Sequence, residues 1–204
     1  MKSIFNQKYQ HDDLDAKLVL ALERLSHVFR LLLWEQTKKY NLSPLQTQVL
    51  VYVFHQHEDE RNITSLSQKL NVTKATLSDT VKSLESKKLI SKKLDEEDNR
   101  FQFLQLTKKG EDLVKKIESW GDVVKKKVSE ISESKKIDMY DALLNLLISF
   151  EQDGLLSKHK ICFTCRYLKQ TTKNSKTLYF CHLLNKPLSH SEIRIDCPEH
   201  EAVS

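Results

Sequence analysis

The stretch ITSLSQKLNVTKATLSDTVKSLESKKLI, residues 63–90, decides how this chain folds. Thr64 to Leu70 predicts a short helix and Asn71-Val72-Thr73 a tight turn. Thr73 to about Ser86 predicts a second helix that buries Leu77, Val81 and Leu84. Two short helices joined in this way make a helix-turn-helix. With those three residues turned inward, a step of about 100 degrees per residue puts Ala75, Thr76, Ser78, Asp79, Lys82, Ser83 and Ser86 on the outward arc. Nearly all of them are small or hydrogen-bonding, as a helix entering a DNA major groove about 12 Å wide requires. Lys74 and Lys82 are placed to reach flanking phosphates, while Thr73 caps the helix and offers a hydroxyl. Asp79 is the awkward member, able to accept from a cytosine amino group but repelling phosphate.

Outward from this pair, LISKKL (89–94) and RFQFLQL (100–106) read as two strands around the polar turn DEEDN, so that a hairpin wing follows the helix-turn-helix. On the N-terminal side, Leu18, Ala21, Leu25, Val28 and Leu32 draw one stripe along a helix from about Asp12 to Lys39. Ser43-Pro44-Leu45-Gln46 then opens another with an N-cap serine, a proline at the first position and a capping-box glutamine; Leu45, Val49, Leu50 and Val53 form its buried face. Past the wing, Leu113, Ile117, Trp120, Val124, Val128 and Ile131 share one helical face. After an interruption at Ser132 to Lys136, Ile137, Tyr140, Leu144, Leu147 and Ile148 share another, ending near Asp153-Gly154. Glycine and proline number only three each, which favours long helices.

Charge agrees with a polyanion partner. Between Arg61 and Lys109 there are eleven Lys and Arg against six Asp and Glu, a surplus of +5 equal to that of the whole chain. No apolar run approaches the roughly 18 residues of a membrane span, and MKSIFNQKYQHDD lacks the apolar centre of a secretory signal, so a cytoplasmic location is expected. The Asn-x-Thr triplets at Asn62 and Asn71 are then chance matches. Thiols in that compartment stay reduced, and clustered cysteines read as metal ligands or redox groups.

SPLQTQVLVYVF, residues 63–90 and DEEDNRFQFLQLTKKGEDLV together resemble the second helix, helix-turn-helix and wing of the MarR family of transcriptional regulators, over about Asp12 to Gly154. The resemblance implies a homodimer built by the first helix and the last two helices of this region, binding double-stranded DNA. It also implies that the Thr73–Lys82 helix enters the major groove while the wing reaches the minor groove. In the family's wing pattern Asp98 and Arg100 would be the acidic partner and the minor-groove probe; Asn99 stands where many members carry a second arginine, and Lys92 and Lys93 would add phosphate attraction. Family members respond to small molecules or oxidation, and Trp34, His55, His57 and Trp120 are candidates for an effector pocket.

The expected organisation is mainly α (α+β). Residues 1–154 form a winged helix-turn-helix with long dimerisation helices at both ends and a DNA-binding core at about 43–109, and residues 155–204 add a small metal-stabilised extension. No cysteine occurs in the first 161 residues, so any redox sensing falls to that extension. It carries Cys162-x2-Cys165-x15-Cys181-x15-Cys197, with His159, His182, His190 and His200. A CxxC turn brings two thiolates to one site, and each spacer has room for a strand or loop that delivers one more. The set suits zinc or an iron–sulfur cluster. The single spacing of the last two cysteines departs from common zinc ribbons and Cys197-Pro198 resembles the ferredoxin cysteine-proline, but no full ferredoxin spacing is present. Tyr167, Leu168, Leu178, Phe180, Leu183, Ile193 and Ile195 would pack around the metal, which supplies folding energy that so short a segment lacks.

These features favour a non-enzymatic regulator whose metal is structural or sensory. A metal-dependent adaptor that recruits protein is the alternative, and a thiol or metal enzyme is disfavoured. A catalytic zinc keeps an open position, whereas four cysteines close the site.

Overall fold

The computed structural model describes residues 3–6, 12–94, 102–157, 160–173 and 176–203. Helix α1 spans Leu14–Lys39 with Asp13 as its N-cap, and α2 spans Pro44–His55 with the reciprocal Ser43/Gln46 capping box. A 3₁₀ turn at Glu58–Glu60 leads to α3, Ile63–Lys69, capped by Asn62, and then to α4, Lys74–Ser86, capped by Thr73. Strands β1 (Ile90–Leu94) and β2 (Gln102–Leu106) pair antiparallel from Ile90↔Leu106 to Leu94↔Gln102. The connecting turn lies outside the described residues.

Leu66 of α3, Leu77, Val81 and Leu84 of α4, Val49, Leu50 and Val53 of α2, and Leu104 of β2 close one core around the helix-turn-helix. Val114 and Ile117, on helix α5 (Lys108–Ile117), complete it from the far side. Thr107 caps α5 through Gly110 N (3.1 Å), and its hydroxyl also donates to Lys88 O at 2.8 Å. A Cβ at Gly110 would run into the Leu89 carbonyl oxygen, so glycine is what lets α5 lie against the end of α4.

Few glycines do not mean few helix ends. At Asn41, Asn71, Lys88 and Gly154 the chain turns left-handed, with φ of 52°, 50°, 58° and 70°. Each is followed by the paired backbone bonds that close a helix, such as Lys88 N to Glu85 O (2.8 Å) and Leu89 N to Leu84 O (3.0 Å).

The expected single helix after the wing is broken. α5 ends at Ile117, a 3₁₀ turn takes Glu118–Gly121, and α6 runs Asp122–Ser129; Trp120, within the break, meets Phe29 edge-on at 6.1 Å. Helix α7 spans Glu133–Gln152 with Ser132 at its N-cap, so the expected interruption at Ser132 to Lys136 is shorter than the sequence suggests and residues 133–136 already belong to the helix. The stripe on α1 does not meet the core: Leu18, Leu25 and Val28 remain exposed. On α7, Tyr140, Leu144, Leu147 and Ile148 pack against the C-terminal segment, while Met139, Leu143, Leu146 and Phe150 form a second, exposed stripe.

Beyond Gly154 the chain forms β3 (Leu168–Lys173), β4 (Lys176–Cys181) and β5 (Lys186–Leu188), an antiparallel sheet in that order. Its core is Ile161, Cys162, Tyr179 and Ile193 against Leu144. Strand alternation faces Tyr179 inward and leaves Leu178 exposed, out of the expected packing, while Leu183, part-exposed on the β4–β5 turn, lines one cavity with the cysteines. Among the described residues no helix is long and apolar enough to cross a membrane.

Candidate nucleic-acid interface

Helix α4 and its N-cap Thr73 expose Thr73, Lys74, Ala75, Thr76, Asp79, Lys82 and Ser86 to solvent, and Ser78 partly. The Thr73 hydroxyl accepts from Thr76 N at 3.1 Å and lies 2.9 Å from the Thr76 hydroxyl, so the first turn is capped by its own side chains. Asp79 faces Lys82 at 3.4 Å, an arrangement that offsets the repulsion Asp79 would offer a phosphate. Ser83, expected on the open arc, instead turns back and accepts from Gln46 Nε2 at 2.9 Å, fixing α4 to α2.

Several of the surplus cations are used inside the fold. Lys92 pairs with Glu85 at 2.8 Å and Lys93 lies 3.6 Å from Glu58, so each wing lysine has a carboxylate neighbour that a phosphate would have to compete with. Lys87 Nζ donates to Asn41 O (2.7 Å) and Gln46 Oε1 (3.0 Å), and Lys109 Nζ to Lys87 O (3.0 Å). Arg61, missed in the sequence reading, anchors the wing: its carbonyl accepts from Leu104 N and its Nε donates to Gln56 O at 2.8 Å. Lys74, beside the α4 N-terminus, has no ion pair among the described residues. Asp98 and Arg100 lie outside the described residues.

The four proposed pocket residues do not converge. His55 and His57 line a cavity of about 370 Å³ together with Tyr52, Lys69, Lys160 and Asp196, and His55 Nε2 lies 2.9 Å from Glu118 Oε2. Trp34 is exposed on α1 and Trp120 packs on Phe29, and neither is in the lining of that cavity. Burial first, then the nearby Glu60 carboxylate, pushes the Tyr52 hydroxyl well above the usual tyrosine range.

This cavity sits between α3 and the C-terminal unit, a junction that the sequence did not announce. Lys69 pairs with Asp196, Lys160 with Glu60, and the Ser157 hydroxyl donates to Gln68 O. On the other side of Cys197 all four cysteines, Cys162, Cys165, Cys181 and Cys197, line a second cavity of about 240 Å³ as free thiols. Burial raises the Cys162 pKa most; a bond from Arg194 N to its Sγ at 3.2 Å opposes this, and the other three sulfurs push it up further. Among the described residues no group of three His, Cys, Asp or Glu side chains is drawn tightly enough to hold a single metal ion.

Residues 32–117 match the family model described as Transcriptional regulator SarA/Rot. Among solved structures, S. aureus MepR in a DNA-binding conformation aligns with 25% identity and a TM-score of 0.59, over 65% of this chain and 98% of MepR. The S. aureus MepR–DNA complex aligns with 26% identity and a TM-score of 0.57, over 64% of this chain and 96% of that one. In fold, and in the sequence of residues 32–117, the chain is therefore similar to winged-helix transcriptional regulators of the SarA/Rot and MarR types.

Proposed function

We propose that this protein is a sequence-specific DNA-binding transcriptional regulator that acts as a homodimer on a near-palindromic operator. The observation that carries the reading is the open face of α4: slim, polar, led by Lys74 at the helix N-terminus, capped by Thr73 and tied to α2 by the Gln46–Ser83 bond. A helix used only for packing has no need of that face. Likeness to MepR, whose structure with DNA shares this fold, supports it.

The apolar stripes left open on α1 and α7 support the dimer. Leu14, Leu18, Leu22 and Leu25 on one helix and Met139, Leu143, Leu146 and Phe150 on the other are too much exposed apolar surface for a chain that works alone. Helices α1 and α7, which flank the winged unit in sequence, would then join two such units. Lys74, Thr76, Ser78 and Lys82 make the groove contacts, and Arg100, steadied by Asp98, probes the minor groove from the wing. The four-cysteine unit is a structural or sensory attachment to this dimer.

Footprinting of the purified chain on genomic fragments tests the proposal. The expected protection is two half-sites about 34 Å apart, or a multiple of that, with affinity falling steeply as salt rises. A dimer that protects no sequence at low salt overturns it.

A further inference from the structure

The C-terminal segment is the most basic part of the chain. No Asp or Glu occurs among residues 154–191, where Lys and Arg number seven, so the rest of the chain carries 26 cations against 28 carboxylates. Three of the seven are neutralised inside the fold: Lys160 by Glu60, Arg166 by Glu201 at 2.9 Å and Lys186 by Glu192 at 2.7 Å. Of the others, three stand on one hairpin, Lys169 and Lys173 on β3 and Lys176 on β4. Lys169 is exposed and has no carboxylate partner among the described residues.

Register puts these three positions on a common face. Lys169 opposes Phe180, Thr171 opposes Leu178 and Lys173 opposes Lys176, so these pairs occupy one side of the sheet while Gln170 and Tyr179 occupy the other. Tyr179 is buried and Leu178 is half exposed, which makes the lysine side the open one. Lys173 and Lys176 are direct cross-strand neighbours, and like charges set opposite each other destabilise a hairpin. An anion brought to that end of the hairpin relieves the repulsion. Strand β5 pairs only with residues 179–181. Residues 171–173 and 176–178 therefore continue past it as a two-stranded ribbon, a form of β-structure that the DNA major groove, about 12 Å wide, admits.

The wing differs in charge. Residues 89–106 hold three Lys and Arg against four Asp and Glu, whereas residues 168–181 hold three lysines and no carboxylate. Of the two hairpins, the C-terminal one is the better match to phosphate. Its unit is fastened to α3, the helix directly before the reading helix, through Lys69 and Asp196, Glu60 and Lys160, and Gln68 and Ser157.

We propose that the β3–β4 ribbon is a second wing, whose Lys169, Lys173 and Lys176 bind phosphates of double-stranded DNA beside the site that α4 reads. The contact adds affinity without sequence preference, since phosphate contacts position a protein and do not read bases. Its place beside an operator rests on the regulator reading; the attraction of the ribbon for a duplex does not.

The test measures binding of the full chain to a labelled duplex of arbitrary sequence, about 40 base pairs or four helical turns, over a range of salt. Each phosphate contact contributes about 0.9 to the slope of log affinity against log salt. Lys169→Gln with Lys173→Gln and Lys176→Gln is expected to lower that slope by about 2–3, while arginine at the same three positions keeps it. An unchanged slope in the glutamine variant overturns the second wing. So does an arginine variant that also loses the slope, because the loss then comes from the folding of the hairpin and not from its charge. Binding to vesicles of anionic phospholipid that the glutamine variant loses, with the duplex slope unchanged, overturns it as well and assigns the face to a lipid surface. Lys74→Gln, measured in parallel, separates this proposal from the regulator reading, since contact by α4 lowers the slope by about one whether or not the ribbon contributes. A flat response to Lys74→Gln beside a lowered slope in the ribbon variant counts against α4 and supports the ribbon.

Discussion

Lys69, the last residue of α3, is ion-paired with Asp196, which directly precedes Cys197. The lysine is largely buried and its pKa is lowered, first by burial and then by Lys160, while Glu60 and Glu151 pull the other way. Asp196 is about half exposed, so solvent screens the pair, and a double-mutant cycle with Lys69→Met and Asp196→Asn is expected to give about 0.5–1 kcal/mol of coupling. Chemical denaturation of the four variants measures it; a coupling of zero means that the C-terminal unit is not latched to α3 at this point.

Lys88 holds a left-handed conformation, φ 58°, that costs an L side chain about 1 kcal/mol. Its backbone bonds to Glu85 and Thr107 do not need the side chain. Lys88→Gly is therefore expected to stabilise the protein by about 0.5–1 kcal/mol, read as a higher denaturation midpoint at unchanged slope.

Gly110→Ala should act in the opposite direction. The added methyl meets backbone, which cannot rotate away, so α5 must shift from the end of α4, at a cost of about 1–3 kcal/mol. Thermal unfolding is the check, and a variant as stable as the parent would show that α5 can slide.

Glu192 is held down to about 2, first by Lys186 Nζ at 2.7 Å and then by Ser189 N at 2.8 Å and Ser189 Oγ at 2.9 Å. An unfolded glutamate takes up its proton near pH 4.3, so on acidification the unfolded chain binds a proton before the folded one does. The stability from this group is complete above about pH 4.3 and is lost as pH falls toward about 2. Melts across that range should show the decline, and Glu192→Gln should flatten it.

Leu22→Glu with Leu25→Glu places charge on the exposed stripe of α1 without touching the winged core. Light scattering should then report monomers. Their helix content should persist apart from α1, and operator affinity should fall by orders of magnitude as the two half-sites are read separately.

Much of the winged unit was legible because its signals are local. Ser43, Thr73 and Thr107 cap the helices they precede, and Leu77, Val81 and Leu84 recur at helical spacing and are fully buried. Helix ends were harder: Asn41, Asn71 and Lys88 do the work expected of glycine, and nothing at Glu118–Gly121 spells a break. The latch on α3 was not legible at all, since Glu60, Lys69, Lys160 and Asp196 are ordinary surface charges until the fold brings them together. The same holds for the carboxylates beside Lys92 and Lys93, which a count of lysines does not reveal.

Helix α7 carries two apolar stripes, Tyr140, Leu144, Leu147 and Ile148 under the cysteine unit and Met139, Leu143, Leu146 and Phe150 in the open. Neighbouring members, Leu143 beside Leu144 and Leu146 beside Leu147, belong to different sides. An insertion or deletion of one residue in this helix turns both stripes by about 100 degrees, so the side under the cysteine unit and the open side are displaced together. Helix length is thereby frozen between Ser132 and Gly154, and variation in this segment is confined to substitutions that respect both sides.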